Sequence, residues 1–314
     1  FIGSHLAEAM VTRGARVRAF VHYNSRGDIG LLKQLPPRFL SQIQVIAGDL
    51  CDPQFTNEAV KGIGIVFHLG ALISIPYSYL HACEVAETNI LGTLNVLMAC
   101  NREHVGKLIH TSSSEVYGTA QTVPINETHP LQGQSPYSAT KIGADKLVES
   151  FYCAYGLPAV TVRPFNTYGP RQSARAVIPA IITQALTQQQ IHIGNLETRR
   201  DFTYVTDTIQ GFIKAAEKEG LEGKTFNLGT GQDITIGELA HRIIQQINPS
   251  LKLVSDPKRM RPEKSEVYRL ISDNSLARDT FRWQPEVGID LGLEKTISWI
   301  KNHLALYQIG SYEF

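Results

Sequence analysis

Two rhythms of apolar residues alternate along the first half of the chain. Short runs of strand length occupy 15–21, 44–50, 65–71, 107–113 and 159–164, and each ends in small or polar residues. Between them, apolar residues recur three and four positions apart, as in NILGTLNVLMAC at 89–100 and in the stretch that begins at Tyr137. A further helical pattern opens the chain at Gly3. Strand and helix in turn at this spacing predict an α/β fold, a doubly wound parallel sheet with helices on both faces. Such sheets bind ligands at the carboxyl ends of their strands, where Asp49, Gly70 and Ser113 fall.

The pattern loosens after position 165. It predicts helices over 176–188, 235–248 and 293–304, and a helix that follows RRDFTYVTD at 199–207. Short extended pieces are expected at 191–193, 225–231 and 251–254, with a charged loop at 261–264. No repeat or low-complexity linker intervenes, so the second half is expected to fold onto the first.

Length and charge narrow the function classes. A chain of 314 residues that is 43% hydrophobic can bury a large core. A net charge of +1 gives no field toward nucleic acid or an anionic membrane, so neither is expected as a partner. No apolar run approaches the roughly 20 residues that span a bilayer. Cys51, Cys83, Cys100 and Cys153 are far apart, with no metal-ligand spacing. Neither a disulfide framework nor a metal is expected, and a reducing cytoplasm fits.

The candidate chemistry lies in TSSSEVYG at 111–118 and YSATK at 137–141. Tyr137 and Lys141, at i and i+4, share a helix face. An ammonium beside a phenol favours the phenolate, which would bring a group of ordinary pKa about 10 toward use as a general base. Ser113 would hold the substrate oxygen from the strand end. The competing reading makes Tyr137 and Lys141 plain helix-surface residues. At the start, Phe1-Ile2-Gly3 reads as the end of a glycine-rich nucleotide loop, Gly3 standing where helix and strand pack closely, or simply as a helix start. A first strand and two glycines are expected to precede it. The strand at 15–21 ends in VHYNSR, without the acid that selects against a 2′-phosphate. His22 or Arg26 could meet such a phosphate, or line a loop that touches nothing. Asp49 could accept from an adenine amino group with Leu50 on the ring, or cap the next turn. Small residues after the 65–71 strand would let backbone approach a cofactor.

Taken in order, FIGSHL, GDL, HLGA, NILGTLNV, TSSSEVYG, YSATK, RPFNTYGPRQ, RDFTYV, FNLGTG and Arg261-Pro262 resemble the extended short-chain dehydrogenase/reductase family of nucleotide-sugar epimerases and dehydratases. The likeness is closest to the NAD-dependent NDP-N-acetylglucosamine 4,6-dehydratases of legionaminic-acid-type pathways. It implies a Rossmann-like domain over 1–165 plus 203–231, and a nucleotide-sugar domain over 166–202 and 232–314. It implies NAD, with NADP not excluded, held by Phe1, Ile2, Gly3, Asp49, Leu50, Leu69, Gly70, Ala71, Tyr137 and Lys141. Asn166, Arg171, Arg200 and Arg261 correspond to substrate-binding positions. Ser113, Ser114, Glu115, Tyr137 and Lys141 correspond to the catalytic set.

Glu115 distinguishes the reactions of the group. A transient 4-ketone acidifies the C5 hydrogen, and a carboxylate beside C5 can remove it so that the C6 hydroxyl leaves. A 4-epimerase needs no such carboxylate. Deoxyhexose dehydratases usually carry Asp-Glu here, whereas this chain has Ser114-Glu115, as UDP-glucuronate decarboxylases do. Decarboxylation, epimerisation and a catalytically silent nucleotide-binding scaffold are therefore the alternatives, as is a structural ion pair for Glu115. The resemblance also implies a homodimer that pairs the helices around 89–100 and 137–154.

Overall fold

A computed structural model describes residues 1–307; the end of the expected substrate domain, 308–314, lies outside the described residues. The chain runs from α1 (Ile2–Thr12) into β1 (Val17–His22), then through α2 (Pro37–Leu40) to β2 (Ile43–Gly48). Next come α3 (Pro53–Val60), β3 (Ile65–His68), α4 (Ile75–Leu80) and α5 (Ala82–Ala86). A π turn at Glu87–Leu91 joins α5 to α6 (Gly92–Arg102), followed by β4 (Lys107–Thr111), α7 (Pro136–Tyr155) and β5 (Ala159–Pro164). The helix expected over 89–100 is thus longer and carries an inserted π turn. The turn accommodates the buried Asn89, whose side chain bonds outward to a loop and a second helix.

The second half contains β6 (Asn166–Tyr168), α8 (Val177–Thr187), β7 (Gln190–Ile193), β8 (Arg199–Arg200), β9 (Phe202–Tyr204) and α9 (Val205–Glu217). It continues with β10 (Thr225–Leu228), β11 (Ile234–Thr235), α10 (Ile236–Ile247), β12 (Lys252–Ser255), β13 (Arg269–Leu270), α11 (Ser275–Phe281) and α12 (Ile289–Asn302). The closing helix begins at Ile289 rather than at 293, with Asp290 in its first turn, where a carboxylate suits the helix dipole. The two-residue strands β8, β11 and β13 escaped the sequence pattern because they are too short to show a period.

β10, β5, β4 and β3 form a parallel sheet in that order, and β1 and β2 form a separate parallel pair. Among the described residues no strand bonds β1 to β3. Successive strand residues face opposite sides, so Leu108 packs with Val96, Leu97, Val148 and Phe151 of α6 and α7. Its neighbour Ile109 packs on the other side with Ile209, Phe212 and Ile213 of α9. Each such fully buried side chain contributes about 1.5–3 kcal/mol relative to exposure. Three smaller groupings, β6–β9, β7–β12 and β11–β8–β13, build the rest of the second half. Asp207 of α9 ties the chain end to this body, its carbonyl accepting from Trp283 Nε1 at 2.8 Å and its carboxylate from the Val287 amide at 2.9 Å.

Candidate active site

The site forms where β4 ends. The Ser112 amide donates to the Val162 carbonyl at 2.8 Å, which fixes the chain as it leaves the sheet. Ser113, in extended backbone, caps a single 3-10 turn over Ser114–Tyr117, its Oγ accepting from the Glu115 amide at 3.2 Å. Gly118 closes the turn at φ 62°, where a Cβ would lie 2.4 Å from Gln134 Oε1. The backbone conformation makes glycine the residue for that position. Ser114 is buried within the turn.

α7 presents the other half of the site. Ser135 and Ser138 form a reciprocal cap with Pro136 in the first turn, and Gly156 ends the helix in the left-handed region. This cap sets Tyr137 at the helix start, with its hydroxyl toward the Ser113 side chain. Burial pushes the phenol up to about 12; the Ser113 side chain opposes this, and the carboxylates of Glu115 and Asp145 add to it. Lys141, also fully buried, is brought down to about 8 by burial against the opposing pull of Asp145. Its Nζ donates to the Thr111 carbonyl at 2.7 Å.

These values correct one expectation. The phenol is not lowered by the neighbouring ammonium, because removing a phenolate from water outweighs the available stabilisation and Lys141 Nζ is engaged by a backbone carbonyl. Lys141 instead reads as a fixed donor at the strand end.

Beneath it, Asp145 accepts from Ser112 Oγ at 2.8 Å and from Arg163 Nε and Nη2 at 3.1 and 2.9 Å, with His110 Nε2 at 3.2 Å. Burial alone would raise this carboxyl, but His110, Arg163 and Lys141 bring it below its usual value. Arg163 Nη1 also reaches the Tyr117 hydroxyl, which donates to Asn227 Oδ1. The network therefore braces the Glu115 turn from below. Sequence reasoning missed Asp145, although an acid one turn after Lys141 on a core-facing helix was the available signal.

Glu115 faces the same space. Its charge bears on Tyr137 and on Arg200, and its Oε2 lies 3.6 Å from Arg261 Nη1. Arg200 is buried; its Nη1 donates to its neighbour's carbonyl at 3.0 Å, and its Nη2 lies 3.8 Å from Glu266 Oε1. Burial lowers the Arg200 guanidinium, with Glu115 and Glu266 opposing. Ser113, Glu115, Tyr137, Lys141, Arg200 and Arg261 thus converge, although β4, α7, β8 and the loop after β12 deliver them separately. Asn166 begins β6 with its amide bonded to the Asp201 carbonyl, and its Oδ1 is buried with no hydrogen-bond partner.

Arg171 goes elsewhere. At φ 69° it turns onto α1, with Nη2 2.6 Å from Glu8 Oε2, while its Nε and Nη1 are buried without hydrogen-bond partners. Phe1 and Ile2, at the start of the same helix, are half-buried. Gly3 is exposed, and a Cβ there would meet nothing within 4 Å. The close helix–strand packing expected at Gly3 is absent among the described residues, since no described strand passes that position.

The remaining cofactor candidates meet around Leu50. A Cβ on Gly70 would come within 2.5 Å of Leu50 Cδ1, so that position admits only glycine unless Leu50 moves. Leu69 and Ala71 are half-buried beside it. Asp49 Oδ1 accepts from the Cys51 amide at 2.8 Å, the turn-capping alternative, and Oδ2 lies 3.8 Å from His22 Nε2 with both side chains exposed. Asn89 was not among the candidates, yet it accepts from the Leu72 amide at 2.8 Å and donates to the Leu72 carbonyl at 2.9 Å and Thr140 Oγ1 at 3.0 Å. It fastens the loop after β3 to α7.

The donor set suits a dinucleotide. Small residues open the loop after β3, and a fixed lysine donor stands at the β4 end. The buried Thr111 Oγ1, Asn166 Oδ1 and Arg261 Nη1 have no hydrogen-bond partner within the protein. Among the described residues no group of His, Cys, Asp or Glu could hold a metal ion, and no helix is long and apolar enough to cross a membrane. A cleft of about 490 Å³ lined by Glu127, His129, Asp145, Arg163 and Tyr152 opens elsewhere along α7, not where Ser113, Glu115 and Tyr137 converge.

A family model described as GDP-mannose 4,6 dehydratase matches residues 1–296. A dTDP-D-glucose 4,6-dehydratase of Mus musculus is 31% identical over 96% of this chain and 86% of its own. A UDP-N-acetyl-alpha-D-glucosaminuronate decarboxylase of Bacillus cytotoxicus is 32% identical over 96% of this chain and 95% of its own. Among solved structures, the NAD-dependent NDP-hexosamine 5,6-dehydratase of tunicamycin biosynthesis superposes with a TM-score of 0.85 at 26% identity, covering 96% of this chain and 95% of that one.

Proposed function

Because the chain belongs to the GDP-mannose 4,6-dehydratase family, we propose that it catalyses NAD-dependent 4,6-dehydration of a nucleotide-activated hexose, with an NDP-N-acetylglucosamine as the first candidate. The supporting observation is that Glu115 opens onto the same space as Ser113 and Tyr137. When bound, NAD would supply the hydride chemistry at the sugar, as acceptor for C4 and donor to C6. Lys141, with Asp49, Leu50, Leu69, Gly70, Ala71 and the Phe1–Gly3 turn, would hold it. Ser113 and Tyr137 hold the O4 hydroxyl, and Tyr137 takes its proton. Burial raises the phenol, and the positive charge that bound NAD would bring to the site would favour the phenolate. Glu115 then removes the acidified C5 proton, and the C6 hydroxyl departs as water. Ser114 is a poor acid, so the proton for that hydroxyl comes from Glu115 or through water, and as hydride adds at C6 a solvent-derived proton returns to C5 to complete the 4-keto-6-deoxy sugar. Arg200, Arg261 and Asn166 bind the diphosphate, with Arg171 beside α1 on the cofactor side. Residues 1–165 with 203–231 form the dinucleotide-binding part, the remainder receives the sugar nucleotide, and the protein acts as a homodimer.

One observation favours a second reading. Two cations, Arg200 and Arg261, stand beside Glu115. A cation near C6 is what decarboxylation of a sugar uronate requires. The test incubates the protein and NAD separately with UDP-GlcNAc, GDP-GlcNAc, UDP-glucose and UDP-glucuronate, and weighs the products. Loss of one water from a hexose supports dehydration. Loss of carbon dioxide from the uronate supports decarboxylation, an isomer of unchanged mass supports epimerisation, and no turnover supports a silent scaffold. Tyr137→Phe should abolish whichever turnover occurs while NAD still binds.

A further inference from the structure

We propose that Arg261 holds Glu115 in the substrate-free protein, and that the diphosphate of the incoming nucleotide draws Arg261 away, so that substrate binding itself frees the elimination carboxylate. The inference rests on the dehydration reading above.

The contact is a loose one. Arg261 Nη1 stands 3.6 Å from Glu115 Oε2, beyond hydrogen-bond distance, and that nitrogen is buried with no hydrogen-bond partner. A guanidinium held this way has unused donors facing the site. The backbone that carries it is anchored on both sides. Ser265 Oγ donates to the Gln134 carbonyl at 2.5 Å and meets the Tyr79 hydroxyl at 2.6 Å. Gln134 Nε2 donates to the carbonyls of Lys264 and Glu266, both at 3.3 Å. On the other side, Asp256 accepts from the Lys258 amide at 3.0 Å and its own amide donates to the Ile193 carbonyl at 2.7 Å. The side chain of Arg261 is therefore the part free to change partners, whereas Arg200 is buried and bonded to its neighbour's carbonyl.

Charge decides the direction of the exchange. A diphosphate offers more negative charge than one carboxylate and several oxygens arranged for the arginine fork. While Arg261 stands 3.6 Å from Glu115 Oε2, the carboxylate is turned toward that guanidinium. Once Arg261 turns to phosphate, Glu115 keeps only Arg200 as a cationic neighbour and is free to turn toward C5.

The consequence is competition between Glu115 and phosphate for one arginine, which binding alone can read. Titration calorimetry with NAD present would measure UDP, dTDP and GDP against wild type, Glu115→Gln and Glu115→Asp. Glu115→Gln should tighten the diphosphate that binds by about three- to tenfold, since it removes a partly buried pairing. Glu115→Asp, which retracts the carboxylate by one methylene, should tighten it by less. Neither should change the affinity of the corresponding nucleoside, and in an Arg261→Ala background the gain should vanish. Unchanged or weaker diphosphate affinity in both Glu115 variants, with NAD binding intact, overturns the coupling and leaves the dehydration reading standing. If none of the three diphosphates binds the wild-type protein, the nucleotide-sugar reading falls and the coupling falls with it.

Discussion

At the scale of single residues, burial sets the protonation of the site. Lys141 has a folded-state value of about 8 against an ordinary 10.5, so between these values the unfolded chain holds a proton that the folded one lacks. Stability then rises with pH, because the unfolded state binds more protons. Lys141→Met removes this contribution. In the cofactor-free protein, the difference in unfolding free energy, wild type minus Lys141→Met, should climb by up to about 3 kcal/mol from pH 8 to pH 10.5. Denaturant titrations across that range test it, and a flat difference would mean the ammonium is not desolvated. Taking the difference matters, because Cys100, pushed up to about 12 by burial, titrates in the opposite sense above its ordinary value of 9.0. Tyr137 and Lys141 could be picked out from the sequence because their i, i+4 spacing is local, and Ser113 because it ends an apolar run of strand length. The environment that shifts them was only partly legible there: Asp145 stands one turn after Lys141 on α7, but His110 of β4 and Arg163 of β5 join it only through the sheet. The Glu115–Arg261 contact was hidden for the same reason, joining a turn after β4 to a loop after β12.

At the scale of elements, the loop after β3 is held by a side chain rather than by a strand. Asn89, in the π turn before α6, satisfies both backbone groups of Leu72 and bridges to Thr140 on α7. Asn89→Leu leaves these groups unpaired, at about 1–3 kcal/mol for each one that stays buried. Thermal unfolding should fall accordingly, and NAD affinity should weaken as the 69–72 loop loosens. Unchanged NAD affinity despite lower stability would separate the clamp from cofactor binding. The sequence pattern made the helix at 89–100 visible but not the π turn, because one inserted residue barely disturbs an apolar period. Similarly, the apolar runs announced β4 and β5, which are buried on both faces, while β6, β8, β9, β11 and β13 are two or three residues long and carry no pattern.

At the scale of the whole molecule, alternation of strand and helix sufficed to anticipate a parallel sheet with helices on both sides. How the second half packs on it was not legible, because that packing depends on single long-range contacts such as Asp207 with Trp283. The homodimer proposed above has a physical candidate surface. Leu91 and Met98, seven residues apart across the π turn and α6, are 51% and 45% exposed, and Tyr152 of α7 is 39% exposed. A charge at such a position would be desolvated in a paired interface without a partner. Met98→Glu should therefore shift sedimentation from dimer to monomer while the circular dichroism stays native. A wild-type protein that sediments as a monomer at micromolar concentration would remove this surface from the account.

The claim on which the chemistry depends is that the Glu115 carboxylate takes a proton from C5 of a sugar oxidised at C4. The direct measurement is the NMR spectrum of the product formed in deuterium oxide. A product with a C6 methyl group and solvent deuterium at C5, formed by the wild type and lost in Glu115→Gln, is the predicted result. A product that keeps its original C5 hydrogen, or one labelled as fast by Glu115→Gln as by the wild type, would contradict it.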